Sequence, residues 1–254
     1  MYDWASWLTV LAIEAHNEDN SFLCGTTVRG GTDAVRIEQV SDAEYEISGL
    51  IVERLHERRF CVFDLEATGP DATRGHITQI GAVRMGGNGG PEPRTFATLV
   101  RPPIPIPEPI ERLTGIRNED AAHAPLFPEA YRSFRVYAAD RVLVTQAGYE
   151  FDGPLLRREC GLHGLDPPEQ LLLDTKVLFA YAFPEIDEIP STDFLIRFFG
   201  IEAGDLPRHD ALGDALLIGR ILSRLLDAYR EKGIADIRIT EPLRVKKMRL
   251  EPLV

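Results

Sequence analysis

The sequence predicts an α/β protein built on a mixed five-stranded sheet with helices on its faces. Three observations predict this class. Three apolar segments of β character follow one another after Arg59, two more then alternate with helical segments, and a long helical pattern closes the series. Strands that come first in succession and later alternate with helices are typical of a sheet that mixes antiparallel and parallel pairs. A chain of 254 residues is long enough for one sizeable core and a small extra module.

The five predicted strands are short apolar or alternating segments, at residues 60–63, 76–85, 95–100, 141–145 and 171–173. The glycine-rich segment 86–90 predicts a loose hairpin between the second and third strands. The proline-rich segment 101–109 indicates a stiff surface connection, with polyproline recognition as the alternative. Short helical pieces follow it, and further helices are predicted at residues 151–160, 177–181, 192–199 and 211–229.

Residues 1–56 are interpreted as a separate small α+β extension. Trp4, Trp7, Leu8 and Leu11 share one helical face, which predicts a helix over residues 3–15. Two alternating segments at residues 22–29 and 34–40, with Gly30 and Gly31 between them, predict a hairpin. Nothing in the extension carries recognisable chemistry, so it is either a packing element or a grip on substrate.

The main domain is predicted to span residues 57–233, followed by a basic tail at 234–254. The tail carries five Lys and Arg residues against three acids, although the whole chain has 40 acidic and 28 basic residues. A solvated strand or disordered end is one interpretation of the tail, and a segment that contacts phosphates is the other.

The net charge of −12 argues against a nucleic-acid partner, because such proteins are typically basic. Salt screens this charge beyond about 8 Å, however, and bound divalent cations would add local positive charge. We therefore expect weak binding and low processivity if the partner is a nucleic acid. No apolar segment approaches the roughly 20 residues that span a bilayer, so we expect a cytoplasmic protein without membrane contact. The three cysteines are isolated and are expected to be buried reduced thiols.

The first chemical motif is the segment Phe63-Asp64-Leu65-Glu66-Ala67-Thr68-Gly69. Side chains alternate along a strand, so Asp64 and Glu66 point the same way, with their Cα atoms about 6.6 Å apart. Two neighbouring carboxylates at the end of an apolar strand repel each other unless a cation lies between them. Mg²⁺ and Mn²⁺ favour such oxygen ligands. A pair of solvated acids is the alternative.

Two further segments add acids and a histidine. Asp152 follows Phe151 near the start of a predicted helix, where it could simply be an N-cap. Asp210 is a natural N-cap of the last helix, with His209 on the loop before it and Asp214 inside its first turns. This arrangement suits a rigid carboxylate that is approached by a mobile imidazole.

Taken together, these segments resemble the DnaQ-like branch of the DEDD exonuclease superfamily. Residues 64–69 resemble its first motif, Phe151-Asp152 the core of its second, and residues 209–214 its third, in the histidine-containing (DEDDh) form. Residues 76–83 resemble the family's second strand, and residues 113–116 another common segment. The resemblance covers residues 60–229, and it implies a ribonuclease H-like fold.

The resemblance also implies a mechanism, a metal-dependent 3′–5′ exonuclease that acts on single-stranded 3′ ends of DNA or RNA and releases 5′-nucleoside monophosphates. Two divalent ions, Mg²⁺ or Mn²⁺, would be held by Asp64, Glu66, Asp152 and Asp214. His209 would be the general base, and its unperturbed pKa of about 6.5 suits that task. The backbone near Leu65 and the hydroxyl of Thr68 would hold the terminal nucleotide. A polymerase or another replication or repair protein is a possible partner.

The second motif departs from the family pattern. Many members carry a His-Asn pair four to five residues before the aspartate, and here residues 146–150 read Gln-Ala-Gly-Tyr-Glu. This difference affects the expected grip on substrate more than the metal site. Two alternatives remain: a catalytically silent binding or scaffold module with the same fold, and a metal-dependent phosphatase or nuclease of unrelated fold.

Overall fold

The strands build one central sheet and two small ones. The protein is described here by a computed structural model, which covers residues 35–86, 90–204 and 206–247. Ten strands lie in these ranges: β1 (Arg36–Ser41), β2 (Glu44–Ser48), β3 (Leu50–Val52), β4 (Phe60–Ala67), β5 (Ile77–Met85), β6 (Pro91–Leu99), β7 (Val142–Thr145), β8 (Leu172–Asp174), β9 (Ile237–Ile239) and β10 (Leu243–Lys246).

Seven α-helices accompany the strands in the described residues. They are α1 (Glu108–Thr114), α2 (Asn118–Ala122), α3 (Phe127–Ala138), α4 (Gly153–Leu162), α5 (Thr175–Ala182), α6 (Thr192–Phe199) and α7 (Ala211–Glu231). A short 3₁₀ turn at Leu55–Glu57 precedes β4, and a π-helical turn at Gly148–Asp152 runs directly into α4. None of the helices in the described ranges is long and apolar enough to cross a membrane.

The central sheet has the order β6-β5-β4-β7-β8, in which β4 to β6 are antiparallel neighbours and β7 and β8 run parallel to β4. This confirms the predicted mixed five-stranded fold. The first half of β4 is fully buried, as expected for a central strand covered on both faces. β6 begins at Pro91, earlier than the sequence predicted, and its place at the sheet edge tolerates a proline that cannot donate a hydrogen bond.

Helix α7 packs across β4 and β5. Its apolar residues recur at helical spacing, and Leu217, Ile221, Leu222 and Leu225 are fully buried. The start of α7 touches β5 at Gly81, where a Cβ would lie only 2.1 Å from the carbonyl carbon of Ala211. Glycine is therefore required at this position, because any side chain would push the helix off the sheet.

The segments before and after the central sheet pair with each other. β1, β2 and β10 form an antiparallel three-stranded sheet, and β3 pairs with β9. Ion pairs engage three of the four Lys and Arg side chains in residues 234–247: Arg238 binds Glu53 and Asp236, Arg244 binds Glu44 and Glu46, and Lys246 binds Asp187.

Part of the predicted extension lies outside the described residues. This applies to the helix at 3–15, the strand at 22–29, the turn at Gly30 and Gly31, and Cys24. The predicted strand at 34–40 corresponds to β1, which pairs with β2. The division at residues 56 and 233 stays a prediction, and the shared sheets show that the two flanking segments pack as neighbours. Cys61 and Cys160 are buried free thiols, as expected.

Candidate active site

Asp64 and Glu66 lie on the same face of β4 near its carboxyl end, as the alternation of a strand requires. Both side chains are half-buried. On the neighbouring strand β5, Asp64 is opposite Gly81 and Glu66 is opposite Gln79. The first motif therefore lies directly beside the point where α7 meets the sheet.

Asp152 is not an N-cap, and that interpretation of the sequence was wrong. The residue has helical φ and ψ of −61° and −44°, and its side chain caps no backbone N–H, because the π-helical turn continues into α4. Instead, the buried carboxylate accepts a hydrogen bond of 2.5 Å from Thr145 Oγ1 at the end of β7. Its side chain is thereby held toward the cleft next to β4.

Asp210 caps α7, as the sequence predicted. Its Oδ1 accepts a hydrogen bond of 2.9 Å from the backbone N–H of Gly213. Its Oδ2 accepts a second one of 2.9 Å from Gln79 Nε2, and Gln79 Oε1 accepts from the backbone N–H of Ala211 at 3.0 Å. Gln79 thus ties the start of α7 to β5. Sequence reasoning assigned no role to Gln79, although a buried amide on a strand must have partners.

His209 and Asp214 come together at the start of α7. His209 has a left-handed φ of 58°, which is uncommon for a residue with a side chain, and its backbone N–H donates to Asp214 Oδ2 at 2.7 Å. The imidazole is exposed and projects to the cleft. One ligand atom each from Glu66, His209 and Asp214 lie within 4.8 Å of one another.

Asp64, Glu66 and Asp152 have raised pKa values, and burial is the largest cause for each. Burial, followed by the charges of Asp152, Glu66 and Asp214, holds the pKa of Asp64 well above its usual range. Burial and neighbouring acids raise the pKa of Glu66 to about 8. Burial also raises the pKa of Asp152 to about 8, although the Thr145 hydrogen bond opposes the shift. Without a cation, the site therefore retains protons that its acids would lose in water.

The donor set fits divalent metal ions. Converging carboxylate oxygens are the ligands that Mg²⁺ and Mn²⁺ favour, and a cation would stabilise the ionised form of these buried acids. Asp64, Glu66, Asp152, His209 and Asp214 all line one cleft of about 350 Å³. The structure thus brings together all five residues that the sequence identified as catalytic or metal-binding.

The two predicted substrate-binding residues are placed differently. Leu65 lines the cleft, and so do the apolar residues Ile110, Leu113 and Ile218. Thr68 is buried outside the cleft lining, and its Oγ1 accepts a hydrogen bond of 3.0 Å from the backbone N–H of His76. The hydroxyl of Thr68 therefore braces the turn after β4, and its contact with a nucleotide stays a prediction.

A buried polar network occupies the divergent stretch before Asp152. Gln146 donates to the backbone oxygen of Pro190 at 2.7 Å and accepts from the Thr175 hydroxyl. Lys176, which is fully buried, forms an ion pair with Glu150 on the cleft wall. A buried lysine is costly unless it is paired, so Lys176 and Glu150 hold each other in place. This network occupies the stretch in which the sequence departs from the expected second motif.

Comparisons with known proteins agree with this geometry. A family model described as an exonuclease family, RNase_T, matches residues 61–222. The chain is 31% identical to the DNA polymerase III subunit epsilon of Aquifex aeolicus, over 72% of this chain and 89% of that protein. It is 37% identical to a DNA polymerase III subunit epsilon-like protein of Rhodobacter capsulatus, over 74% of this chain but only 26% of the relative.

Among solved structures, the fold is similar to the nuclease domain of 3′hExo, a DEDDh family member, bound to rAMP. The TM-score is 0.59 at 22% identity, and the match covers 73% of this chain and 97% of that domain. This likeness supports the ribonuclease H-like fold. The matching family model and the epsilon subunit, which is covered over most of its length, together establish that the chain belongs to the RNase_T exonuclease family, in the DnaQ-like branch of the DEDD superfamily.

Proposed function

We propose that the protein is a metal-dependent 3′–5′ exonuclease of the histidine-containing subgroup, which removes nucleotides singly from a 3′ end and releases 5′-nucleoside monophosphates. The observation that carries the proposal is the convergence of Asp64, Glu66, Asp152 and Asp214 with His209 in one cleft. A volume of about 350 Å³ lies at the lower end of the range for small-molecule sites, which suits one terminal nucleotide.

In this proposal the four carboxylates bind the metal ions and the imidazole of His209 transfers a proton. Asp64, Glu66, Asp152 and Asp214 hold two divalent ions, Mg²⁺ or Mn²⁺, which supply charge stabilisation for the attacking and departing oxygens of an in-line displacement. His209 takes the proton from the attacking water. Its exposed place on the loop before α7 lets the imidazole approach the cluster without disturbing the core.

The apolar cleft wall positions the terminal nucleotide. Leu113 presents aliphatic surface against which a base can pack, Phe151 adds an aromatic ring, and the backbone near Leu65 is proposed to contact the nucleotide. The narrow cleft and the net charge of −12 favour an unpaired strand end that is bound briefly. We therefore propose single-stranded 3′ ends as the substrate and low processivity as the kinetic consequence.

Both DNA and RNA are retained as substrates. The epsilon subunit belongs by name to a DNA polymerase, whereas the 3′hExo domain was solved with a ribonucleotide. Because the chain spans only 26%, 12% and 32% of three of its curated relatives, the activities and partners of those whole proteins are not carried over as such. A polymerase or a replication or repair protein is proposed as the partner, and the cytoplasm as the location.

The test uses 5′-labelled DNA and RNA oligonucleotides of one sequence, incubated with Mg²⁺ or Mn²⁺. We expect a ladder that shortens from the 3′ end, with 5′-nucleoside monophosphates as the small product. A 3′-phosphate should slow cleavage strongly, whereas a 5′ block should have little effect. The control is Asp64→Asn, which should fold and yet be inactive.

Two results would contradict the proposal. Equal sensitivity to both blocks, or cleavage of circular single strands, would indicate an endonuclease. A folded, metal-loaded protein that cleaves neither polymer under any of these conditions would favour a silent binding module.

A further inference from the structure

Arg208 is the one lysine or arginine among the described residues that line the active cleft. Five carboxylates share that cleft: Asp64, Glu66, Glu150, Asp152 and Asp214. A phosphodiester that enters the cleft therefore meets strong negative charge and a single guanidinium. The role of Arg208 depends on what holds that guanidinium and what would release it.

In the structure, Arg208 bridges two helices. Its Nε donates to Asp214 Oδ1 at 2.9 Å, and one terminal nitrogen donates to Asp193 Oδ1 at 2.8 Å in the first turn of α6. The other oxygen of Asp214, Oδ2, accepts the backbone N–H of His209 at 2.7 Å. Both oxygens of Asp214 are therefore already bonded to the loop before α7.

A divalent ion bound by Glu66 and Asp214, whose carboxylate oxygens lie within 4.8 Å of one another, has to share Asp214 with this guanidinium. Two positive charges on one carboxylate repel each other, so binding of the ion weakens the bond from Arg208. Asp193 is the more exposed partner, with 66% of its side chain accessible against 13% for Asp214. An Arg208 released from Asp214 would consequently stay paired with Asp193 beside the cleft. The N–H edge of its guanidinium that had contacted Asp214 would then be free.

We propose that Arg208 binds a phosphate of the substrate strand. In the metal-free protein Asp214 pairs with Arg208, and a divalent ion that binds Asp214 releases the guanidinium for the phosphate. The planar guanidinium matches two phosphate oxygens at once, which a lysine cannot do. The inference rests on the proposed function, since a phosphodiester is the ligand. It adds a substrate-binding residue that also acts as a counter-ion of the metal-free site.

The test compares Arg208→Ala with Arg208→Lys and with the control Arg224→Ala. Arg224 is an exposed arginine on the same helix, about 15 Å along its axis from Asp214 at 1.5 Å per residue. Mn²⁺ affinity is measured by calorimetry without nucleic acid. Affinity for a fluorescent single-stranded oligonucleotide, as DNA and as RNA, is measured by anisotropy in Ca²⁺.

We expect two opposite effects from Arg208→Ala. Mn²⁺ should bind more tightly, on the order of tenfold, because a competing positive charge has gone. The oligonucleotide should bind more weakly, roughly tenfold or more, because the phosphate contact has gone. Arg208→Lys should keep the wild-type Mn²⁺ affinity and lose part of the oligonucleotide affinity, and Arg224→Ala should change neither.

A structural tie alone would give a different pattern. If Arg208 only fixes the loop before α7, Arg208→Ala would misplace Asp214 and weaken Mn²⁺ binding, which would overturn the proposal. Unchanged oligonucleotide affinity, or equal effects from Arg224→Ala, would overturn it as well. Absence of hydrolysis by the wild-type protein would count against the exonuclease proposal alone, because both binding measurements would still decide the role of Arg208.

Discussion

The raised pKa values of acids in the cleft lower the stability of the metal-free protein at neutral pH. Glu66 and Asp152 each have a pKa of about 8 in the folded chain, against ordinary values of 4.5 and 3.8. Between those limits the folded state binds more protons than the unfolded state does. The stability that these groups contribute is therefore complete below about pH 4 and is lost as the pH rises toward 8.

This sign gives a first prediction. In EDTA, the free energy of unfolding should fall from pH 5 to pH 8, by an amount on the order of a few kcal/mol. Saturating Mn²⁺ should remove or reverse the slope, since the ion binds the ionised acids. Urea titrations at several pH values measure it, and Glu66→Gln should flatten the slope in EDTA. A slope unchanged by Glu66→Gln would mean that the pKa of this carboxyl is not raised in the folded protein.

The second prediction concerns His209. His209→Ala should lower the single-turnover rate by about 10²–10⁴-fold, which is the usual contribution of a general base. Mn²⁺ should still bind, because the four carboxylates remain. The matched control is His123→Ala, at an exposed histidine that follows α2. Near-normal rates for His209→Ala would exclude this residue as the base.

The contact between α7 and β5 positions the start of α7 beside the acids of β4. It carries Asp210, His209 and Asp214 to the acids of β4, and it depends on the close approach at Gly81 and on both hydrogen bonds of Gln79. Gly81, Gln79 and Asp210, which make this contact, have no proposed catalytic role themselves. A change here should nevertheless reach the metal site, because displacement of α7 moves one of its ligands.

Gly81→Ala provides the third prediction. The added methyl would lie 2.1–2.2 Å from backbone atoms of Ala211 and Leu212, so the helix must shift. We expect a loss of roughly 1–3 kcal/mol in unfolding free energy and a large loss of nuclease activity. Gly161→Ala is the control, because its Cβ meets no atom within 4 Å and alanine favours a helix. Equal stability of the two variants would contradict the close packing of α7.

The molecule as a whole is closed by its two flanking segments. β9 and β10 bury Ile237, Ile239 and Val245, and they satisfy the edges of β3 and β2. Their basic side chains lie in exposed ion pairs, which contribute little to stability. The C-terminal segment, for which the sequence left phosphate contact as an alternative, is therefore expected to act mainly in packing.

The fourth prediction separates packing from phosphate binding. Truncation after Asp236 should lower the melting temperature clearly, because three buried apolar side chains and two strand pairings are lost. The combined variant Arg238→Gln, Arg244→Gln and Lys246→Gln should keep near-normal stability and oligonucleotide affinity. A large loss of oligonucleotide affinity in that variant would restore the phosphate-binding interpretation.

Local rules were sufficient for much of the site. The two-residue period of a strand placed Asp64 and Glu66 on one face, and N-cap chemistry placed Asp210 at the start of α7. Hydrophobic patterns also located the five strands of the sheet. Each of these inferences concerns neighbours within a few residues, where backbone geometry alone relates one side chain to the next.

Other features arise from contacts between distant parts of the chain. Asp152 had the sequence features of an N-cap, but the π-helical turn and Thr145 direct it into the cleft. Gln79 reaches Asp210 across 131 positions, and β2 pairs with a strand almost 200 residues later. Residue spacing and local propensity do not predict such long-range contacts, because these depend on the strand order of the sheet and on which helix packs across it. The carboxylates could be named from their order in the chain, whereas the partners that hold them became apparent only once the chain was packed.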